Sequence, residues 1–260
     1  MQIILLKNFF MKIRFEFNKE NYSADLSKPI DISIPLGEGD NNPNCYRADP
    51  PVFETIVSGD FIGSVSKGGP VNYQKISITP HGNGTHTECY GHISDNGATI
   101  NGALKKFHFV SELVSIEPVL DGDDSIITSG ALGTKISTAK TDGLIVRSLP
   151  NSEGKLTRRY SGTNPPYFDP GALKMLADRN ILHLMVDLPS VDKEVDGGKL
   201  LAHRNFWNYP DATRENATIT ELIFVPDALP DGLYLVNLQI ISLETDACPS
   251  KPLLFPMVKV

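Results

Sequence analysis

The chain has 260 residues, of which 40% are hydrophobic and 21% charged, and its formal net charge is −7. That length fits one large domain, or at most two small ones, and can bury a full core. The acidic balance, with no Lys/Arg run, argues against nucleic acid or an anionic membrane as the main partner.

The apolar run at residues 1–10 is too short for a bilayer span of ~20 residues and lacks a small-residue cleavage site. Met11 is a candidate start, so residues 1–20 read as an extension plus a first strand, and residues 21–260 as one domain. Cys45, Cys89 and Cys248 are odd in number and widely spaced, which gives no disulfide framework or metal knuckle. Read as reduced thiols, they suit a cytoplasmic protein.

Residues 11–18 alternate, with Ile13, Phe15 and Phe17 on one face, the period of a half-buried strand. Residues 30–36 alternate again and predict a second strand ending near Pro35. Glycine, asparagine and proline dominate residues 37–51, predicting a long loop suited to a lid or pocket wall. Short strands are expected at residues 52–57, 61–66 and 74–79, the last with Ile76 and Ile78 inward. Residues 109–120 form one bent strand or two, Thr128 and Ser129 cap a helix through Ile136, and residues 144–146 make a buried strand. Residues 149–168 lack periodicity, and such a run in a compact domain is either functional or mobile. Asp169 and Pro170 then suit the N-cap and first position of a helix that stops near Asn180. A strand at 181–187, a helix at 200–207 and strands at 219–225 and 233–243 follow. Prolines 249, 252 and 256 predict an irregular or edge C-terminal segment. With no repeat or linker, the pattern predicts a single α/β domain of mixed sheets with packed helices.

Residues 78–92, ITPHGNGTHTECYGH, hold three of the six histidines and one carboxylate. Gly82, Gly84 and Gly91 suit tight backbone turns there. In an extended backbone His86, Glu88, Tyr90 and His92 point the same way. A carboxylate between two imidazoles is costly to bury unless a cation or protons neutralise it. The group is therefore either part of a divalent-metal centre or a hydrogen-bonded polar cluster. His81 lies five residues before His86, an odd spacing. A bulge at residues 82–84 would make it a further ligand, and without one it is a loop residue.

Downstream, His203 beside Phe206 and Trp207 reads, on residues alone, as a packed core histidine. Asp187 reads as a cap on the Pro189–Ser190 turn, His108 and His183 as packing residues, and Cys89 as a small buried thiol. Tyr46, Phe53 and Trp207 are either an aromatic wall for a planar substrate or ordinary core.

Gly84-Thr85-His86, Glu88 and His92 resemble the signature of the cyclase family of metal-dependent hydrolases, which includes bacterial kynurenine formamidases and isatin hydrolases. The resemblance extends to residues 31–36, 186–190, 202–204 and 219–222, in the family's order. It implies a swivelling β/β/α fold and a two-metal site of zinc, with manganese as the other candidate. His81, His86 and Glu88 would hold one ion, and Glu88 would bridge to a second completed by His203 and Glu221. His92 would stay unligated and act in acid/base catalysis. The implied substrate is a small molecule: an aryl formamide such as N-formylkynurenine, in tryptophan catabolism, or a cyclic amide such as isatin. The implied assembly is a homo-oligomer, dimer or tetramer. A non-catalytic binding protein tied by structural zinc is the alternative from another class. The chain departs from the family pattern in three ways. His81 sits one residue further from His86 than usual, and Glu88 replaces an aspartate. The separation of His203 from Glu221 is also long, which leaves Glu215 as a substitute.

Overall fold

The computed structural model describes residues 11–260; the reading of residues 1–10 as an extension ahead of Met11 lies outside them. Its main sheet has eight strands, in the order Gly232–Ile240, His108–Ile116, Gly143–Ser148, His183–Val186, Thr218–Glu221, His86–Glu88, Ala247–Pro256 and Ile30–Asp31. Gly232–Ile240 also pairs with Ala247–Pro256, which closes the sheet into a barrel. The run from His108–Ile116 to Thr218–Glu221 is parallel. His86–Glu88 lies antiparallel between Thr218–Glu221 and Ala247–Pro256. This architecture is the mixed α/β arrangement expected.

The parallel strands have cores on both faces. Leu144, Val146, Leu184 and Val186 pack outward, while Ile145 and Met185 pack into the core enclosed by the barrel. Such strands read as unbroken apolar runs, as residues 144–146 do. Helices Ser129–Lys135, Pro170–Asp178 and Leu201–Trp207 cover the outer face with Leu132, Leu173, Leu176 and Phe206. Thr128 Oγ1 accepts the Ala131 amide at 3.2 Å, the expected cap. Asp169 holds the next N-cap position, although its side chain makes no capping bond. The N-terminal strand Lys12–Phe17 has the alternating burial its sequence predicts, and pairs with Glu20–Asp25.

Several elements differ from expectation for local reasons. The second strand stops at Asp31, whose Oδ1 captures the Ser33 amide at 2.9 Å and hydroxyl at 2.6 Å. That side-chain turn competes with the ladder. The strand expected at 219–225 ends at Glu221, where Leu222 takes a left-handed φ of 53°. Residues 109–120 make two strands, with Val119–Asp121 folded back on Asp124–Ile127. Ile76 is 56% exposed rather than inward, because Gln74–Ser77 pairs only with Val52–Thr55 in a two-stranded ribbon. The proline-rich Ala247–Pro256 is interior to the barrel sheet, not an edge. Pro252 faces Leu238, whose amide is bonded to Phe107 on the other side, so no ladder donor is missed there.

The aperiodic stretch before Phe168 has a structural task. A 3₁₀ turn, Glu153–Thr157, inserts Lys155 into the interior. Its Nζ donates to Asp187 Oδ2 at 2.7 Å, Ser148 O at 2.6 Å and Asn151 Oδ1 at 3.2 Å. Asp187 is therefore half of a buried ion pair that also accepts the Ser148 amide, not the cap of the following turn. Burial pushes the Asp187 pKa up, and Lys155 opposes the shift. Lys155→Ala leaves that carboxylate buried without its cation and is expected to lower stability by about 3–5 kcal/mol in urea unfolding. A loss below about 1 kcal/mol, typical of surface pairs, would contradict this.

Candidate metal centre

His86 and Glu88 share one face of their strand, and Glu221 lies directly opposite His86. Ile219, opposite Glu88, packs in the outer core, so this face looks out from the barrel toward the helices. Thr87 and Thr220 take the opposite face and bond to each other at 2.8 Å. Helix Leu201–Trp207 crosses this outer face and brings His203 Nε2 to 3.1 Å from Glu88 Oε1 and 3.9 Å from Glu221 Oε1. His86 Nε2 lies 3.4 Å from Glu221 Oε2. His81 Nδ1 and His92 Nδ1 lie 3.3 and 3.8 Å from Glu88 Oε2. The other five residues singled out in the sequence thus gather around Glu88. Glu215, the possible substitute, is exposed and absent from these contacts.

The local backbone reaches this arrangement by a different route from that expected. A helical turn, Pro80–Asn83, rather than a β-bulge, absorbs the extra residue between His81 and His86. The extended run ends at Glu88, and a 3₁₀ turn, Tyr90–Ile93, swings His92 back over it. Gly82, Gly84 and Gly91 are not in left-handed conformations; space is what they supply. A Cβ on Gly91 would sit 2.1 Å from the Ala98 carbonyl oxygen, and one on Gly82 would sit 2.3 Å from Ala48 Cβ.

Two buried atoms at the centre have no hydrogen-bond partner: His86 Nε2 and Glu88 Oε2. His81 approaches Glu88 Oε2 at ion-pair distance, but without hydrogen-bond geometry. Leaving such a group unpaired costs about 1–3 kcal/mol. His86 Nδ1 donates to Gly84 O at 2.9 Å, so the orphaned Nε2 carries a lone pair facing the carboxylates. A cation relieves both atoms, and the residues fit one. The donor atoms of His86, Glu88 and Glu221 lie within 4.8 Å of one another, and so do those of His81, Glu88 and His92.

Two aspartates complete the cluster. Asp192 Oδ2 accepts His203 Nδ1 at 2.5 Å, which turns Nε2 toward Glu88, and Asp192 also accepts the Ala202 and His203 amides. A carboxylate behind a histidine is the usual support of a metal-ligating imidazole. Asp246 Oδ2 accepts His81 Nε2 at 2.9 Å and His92 Nδ1 at 3.2 Å. Sequence reasoning missed both. Asp246 stands 154 residues from His92 and carries no motif, so only the barrel's closure brings it there.

Burial disfavours a charged His81, but the hydrogen bond to Asp246 and the nearby Glu88 carboxylate outweigh it and raise its pKa to about 10. Burial likewise opposes a charged His203, and Asp192 and Glu88 raise its pKa to about 10. Burial alone would raise the Glu88 pKa; the charge of His92, the hydrogen bond from His203 and the nearby His81 hold it well below the usual carboxylate range. Protons on His81 and His203 thus offset part of the negative charge of the cluster's carboxylates.

The other sequence candidates lie away from these contacts. His183 stacks on Phe109 at 4.1 Å and bonds Thr218, whereas His108 is exposed and pairs with Asn237 rather than packing. Trp207 is core, its Nε1 bonded to Ala217 O, and Phe53 sits on the exposed ribbon. Two of the three residues of the proposed aromatic wall border the centre: Trp207 packs against His203 with ring centroids 5.4 Å apart, and Tyr46 lines a narrow crevice with Cys45, Tyr160, Pro189, Ser190 and Asp192. The loop at 37–51 thus contributes Cys45 and Tyr46 to this crevice. Cys89 is a buried free thiol, as expected, and so are Cys45 and Cys248. Burial, with Glu221 and Glu194 nearby, pushes the Cys45 thiol well above its usual range, and it donates to His81 O at 3.1 Å instead of acting as a nucleophile.

Fold and site together define a closed mixed barrel whose outer face carries a carboxylate–histidine centre suited to a divalent cation. The Cyclase family model matches residues 24–193, and the chain belongs to that family. His81, His86, Glu88, His92 and Asp192 fall inside the match; His203, Glu221 and Asp246 lie beyond it. The kynurenine formamidase of Polaromonas naphthalenivorans (strain CJ2) is 26% identical over 231 residues, covering 86% of this chain and 89% of that protein. Among solved structures, a potential metal-dependent hydrolase with cyclase activity aligns with TM-score 0.65 and 20% identity, over 88% of this chain and 97% of that one. Isatin hydrolase A from Labrenzia aggregata, bound to benzyl benzoate, aligns with TM-score 0.62 and 15% identity, over 88% and 93%. These structures share the fold.

Because His81 and His203 hold protons in the cation-free centre, a bound divalent ion must displace them. Zinc affinity is expected to rise from about pH 6 to about pH 9, with protons released to buffer in titration calorimetry. Affinity independent of pH, with no proton release, would contradict a site built from these histidines.

Proposed function

We propose that the protein is a metal-dependent amidohydrolase that cleaves the C–N bond of an aryl formamide, of which N-formylkynurenine is an example, to an arylamine and formate. The observation that carries this reading is the pair of buried, unpartnered donors, His86 Nε2 and Glu88 Oε2, in a cluster with Glu221 and His203. The 26% identity to a kynurenine formamidase supports the choice of substrate class. In this reading His81, His86, Glu88, His203 and Glu221 would hold two ions, zinc or manganese, and Glu88 would serve both. When bound, such ions polarise a carbonyl and lower the pKa of water toward ~7.

The chain's own residues do the rest. Gly84 O and Asp192 fix the His86 and His203 rings by their Nδ1 atoms, so each presents Nε2 to the carboxylates. His92 sits on the open side, 29% exposed, where a departing amine can collect a proton. That openness favours catalysis over a structural site, which is closed by its ligands.

A homo-oligomer, dimer or tetramer, is supported by Val52, Val57, Val71, Tyr73 and Ile76, all exposed around the ribbons at 52–77. Cytoplasmic residence is supported by the three buried free cysteines. Among the described residues no helix is long and apolar enough to cross a membrane.

Turnover of formanilide is expected from the purified protein, lost with chelator and restored by zinc or manganese. Metal-loaded protein inert toward both formanilide and a cyclic imide would overturn the reading. His92→Ala should lower turnover by about 10²–10⁴-fold with metal content intact. Unchanged turnover, or loss of metal, would remove His92 from the role of proton donor. Glu88→Gln should lose metal as well as activity, by elemental analysis; retention of full metal content would argue against a shared carboxylate.

A further inference from the structure

Asp246 ends the loop between Gly232–Ile240 and Ala247–Pro256, and its backbone is fixed from two sides. Its carbonyl accepts the Cys89 amide at 3.0 Å, next to the pair formed by Ala247 and Glu88. One residue earlier, the Thr245 carbonyl accepts the Ile100 amide at 2.8 Å. Glu244 binds the Thr99 hydroxyl at 2.8 Å and the Asn101 amide at 2.6 Å. The loop is therefore anchored without help from the Asp246 carboxylate, which is left to face His81 and His92. A single oxygen, Oδ2, accepts from both rings, whose centroids lie 4.2 Å apart.

We propose that Asp246 is a positioning residue that fixes the tautomer and orientation of His81 and His92 together. The inference rests on the amidohydrolase reading, with His92 as proton carrier. A proton held on His81 Nε2 leaves Nδ1 as the lone pair, and Nδ1 is the atom 3.3 Å from Glu88 Oε2. A proton held on His92 Nδ1 leaves Nε2 as the atom that exchanges a proton with substrate. Each neutral ring on its own has two accessible tautomers, and one of each pair turns an N–H toward the place where a lone pair is needed. A carboxylate that accepts one chosen N–H removes that choice, as the aspartate of a Ser-His-Asp triad does for its histidine. Here one carboxylate serves two rings. In the proton-transfer step His92 takes at Nε2 the proton lost by the attacking water and gives it to the nitrogen of the breaking C–N bond. The Nδ1 proton stays on the ring, and Asp246 stays ionised throughout. The site needs such a fixture because His81 and His92 are the partly exposed histidines of the centre, 24% and 29%, while packing immobilises His86 and His203.

The test compares wild type with Asp246→Ala, Asp246→Glu and Glu244→Gln, using imidazole ¹⁵N–¹H correlation spectra of the zinc-loaded proteins and formanilide kinetics. In wild type, His92 is expected as the single Nδ1–H tautomer and His81 as Nε2–H. In Asp246→Ala, His92 becomes a tautomer mixture and kcat falls about 10–100-fold. KM should change by less than about 3-fold, because no substrate contact is removed. Asp246→Glu should recover part of kcat, and Glu244→Gln, which loosens the same loop, should leave kcat within about 2-fold. Tautomers in Asp246→Ala identical to wild type would overturn the proposal. So would a kcat loss in Glu244→Gln equal to that in Asp246→Ala, since the loop alone would then explain the effect. Should wild type turn over neither a formanilide nor an imide, the functional reading fails while the spectra still decide the role of Asp246.

Discussion

A carboxylate buried at the join between the parallel and antiparallel parts of a barrel is the constraint on which this structure depends. Glu88 is fully buried, and its strand is the link through which the parallel run meets Ala247–Pro256. An ionised carboxylate in such a place needs positive charge close by. The fold supplies it from two directions, the turns at His81 and His92 and the helix bearing His203, while Glu221 across the ladder adds a second carboxylate beside His86. Protons can satisfy that demand in part, but they leave His86 Nε2 and Glu88 Oε2 without partners. A divalent cation satisfies the remainder.

The centre has two unlike halves. His86, Glu88, His203 and Glu221 are dry, set on a strand ladder and a helix, and oriented by packing and by Gly84 O and Asp192. His81, His92 and Asp246 are partly wet and set on short turns and a loop end. This division separates tasks. Rigid, desolvated groups suit holding an ion in fixed geometry, and solvent-facing groups suit proton exchange with a substrate that must enter and leave. The crevice walled by Tyr46 and Tyr160 adjoins Asp192, the residue that orients His203.

Much of this was legible in the sequence because the relevant physics is local. The strand at 143–148 and the helix at 170–178 follow from an apolar run and from proline at a first helical position. His86 and Glu88 share a face by strand period, and Glu221 lies in a strand as its apolar neighbours suggested. What local pattern could not give was anything decided by closure of the barrel. Pro252 reads as an edge signal, yet its register against Leu238 makes it harmless in an interior strand. Ile76 alternates like a buried residue but lies on a ribbon with no sheet behind it. Asp192 and Asp246 look like ordinary loop acids until the helix bearing His203 and the loop before Ala247 arrive beside the histidines.

The most direct measurement is anomalous diffraction at the zinc edge from crystals of the zinc-loaded protein. The account predicts anomalous density within about 2.0–2.2 Å of both His86 Nε2 and a Glu88 carboxylate oxygen. Well-ordered crystals with no anomalous peak beside Glu88, or with zinc only at surface residues, would contradict the claim that this buried carboxylate is organised around a cation.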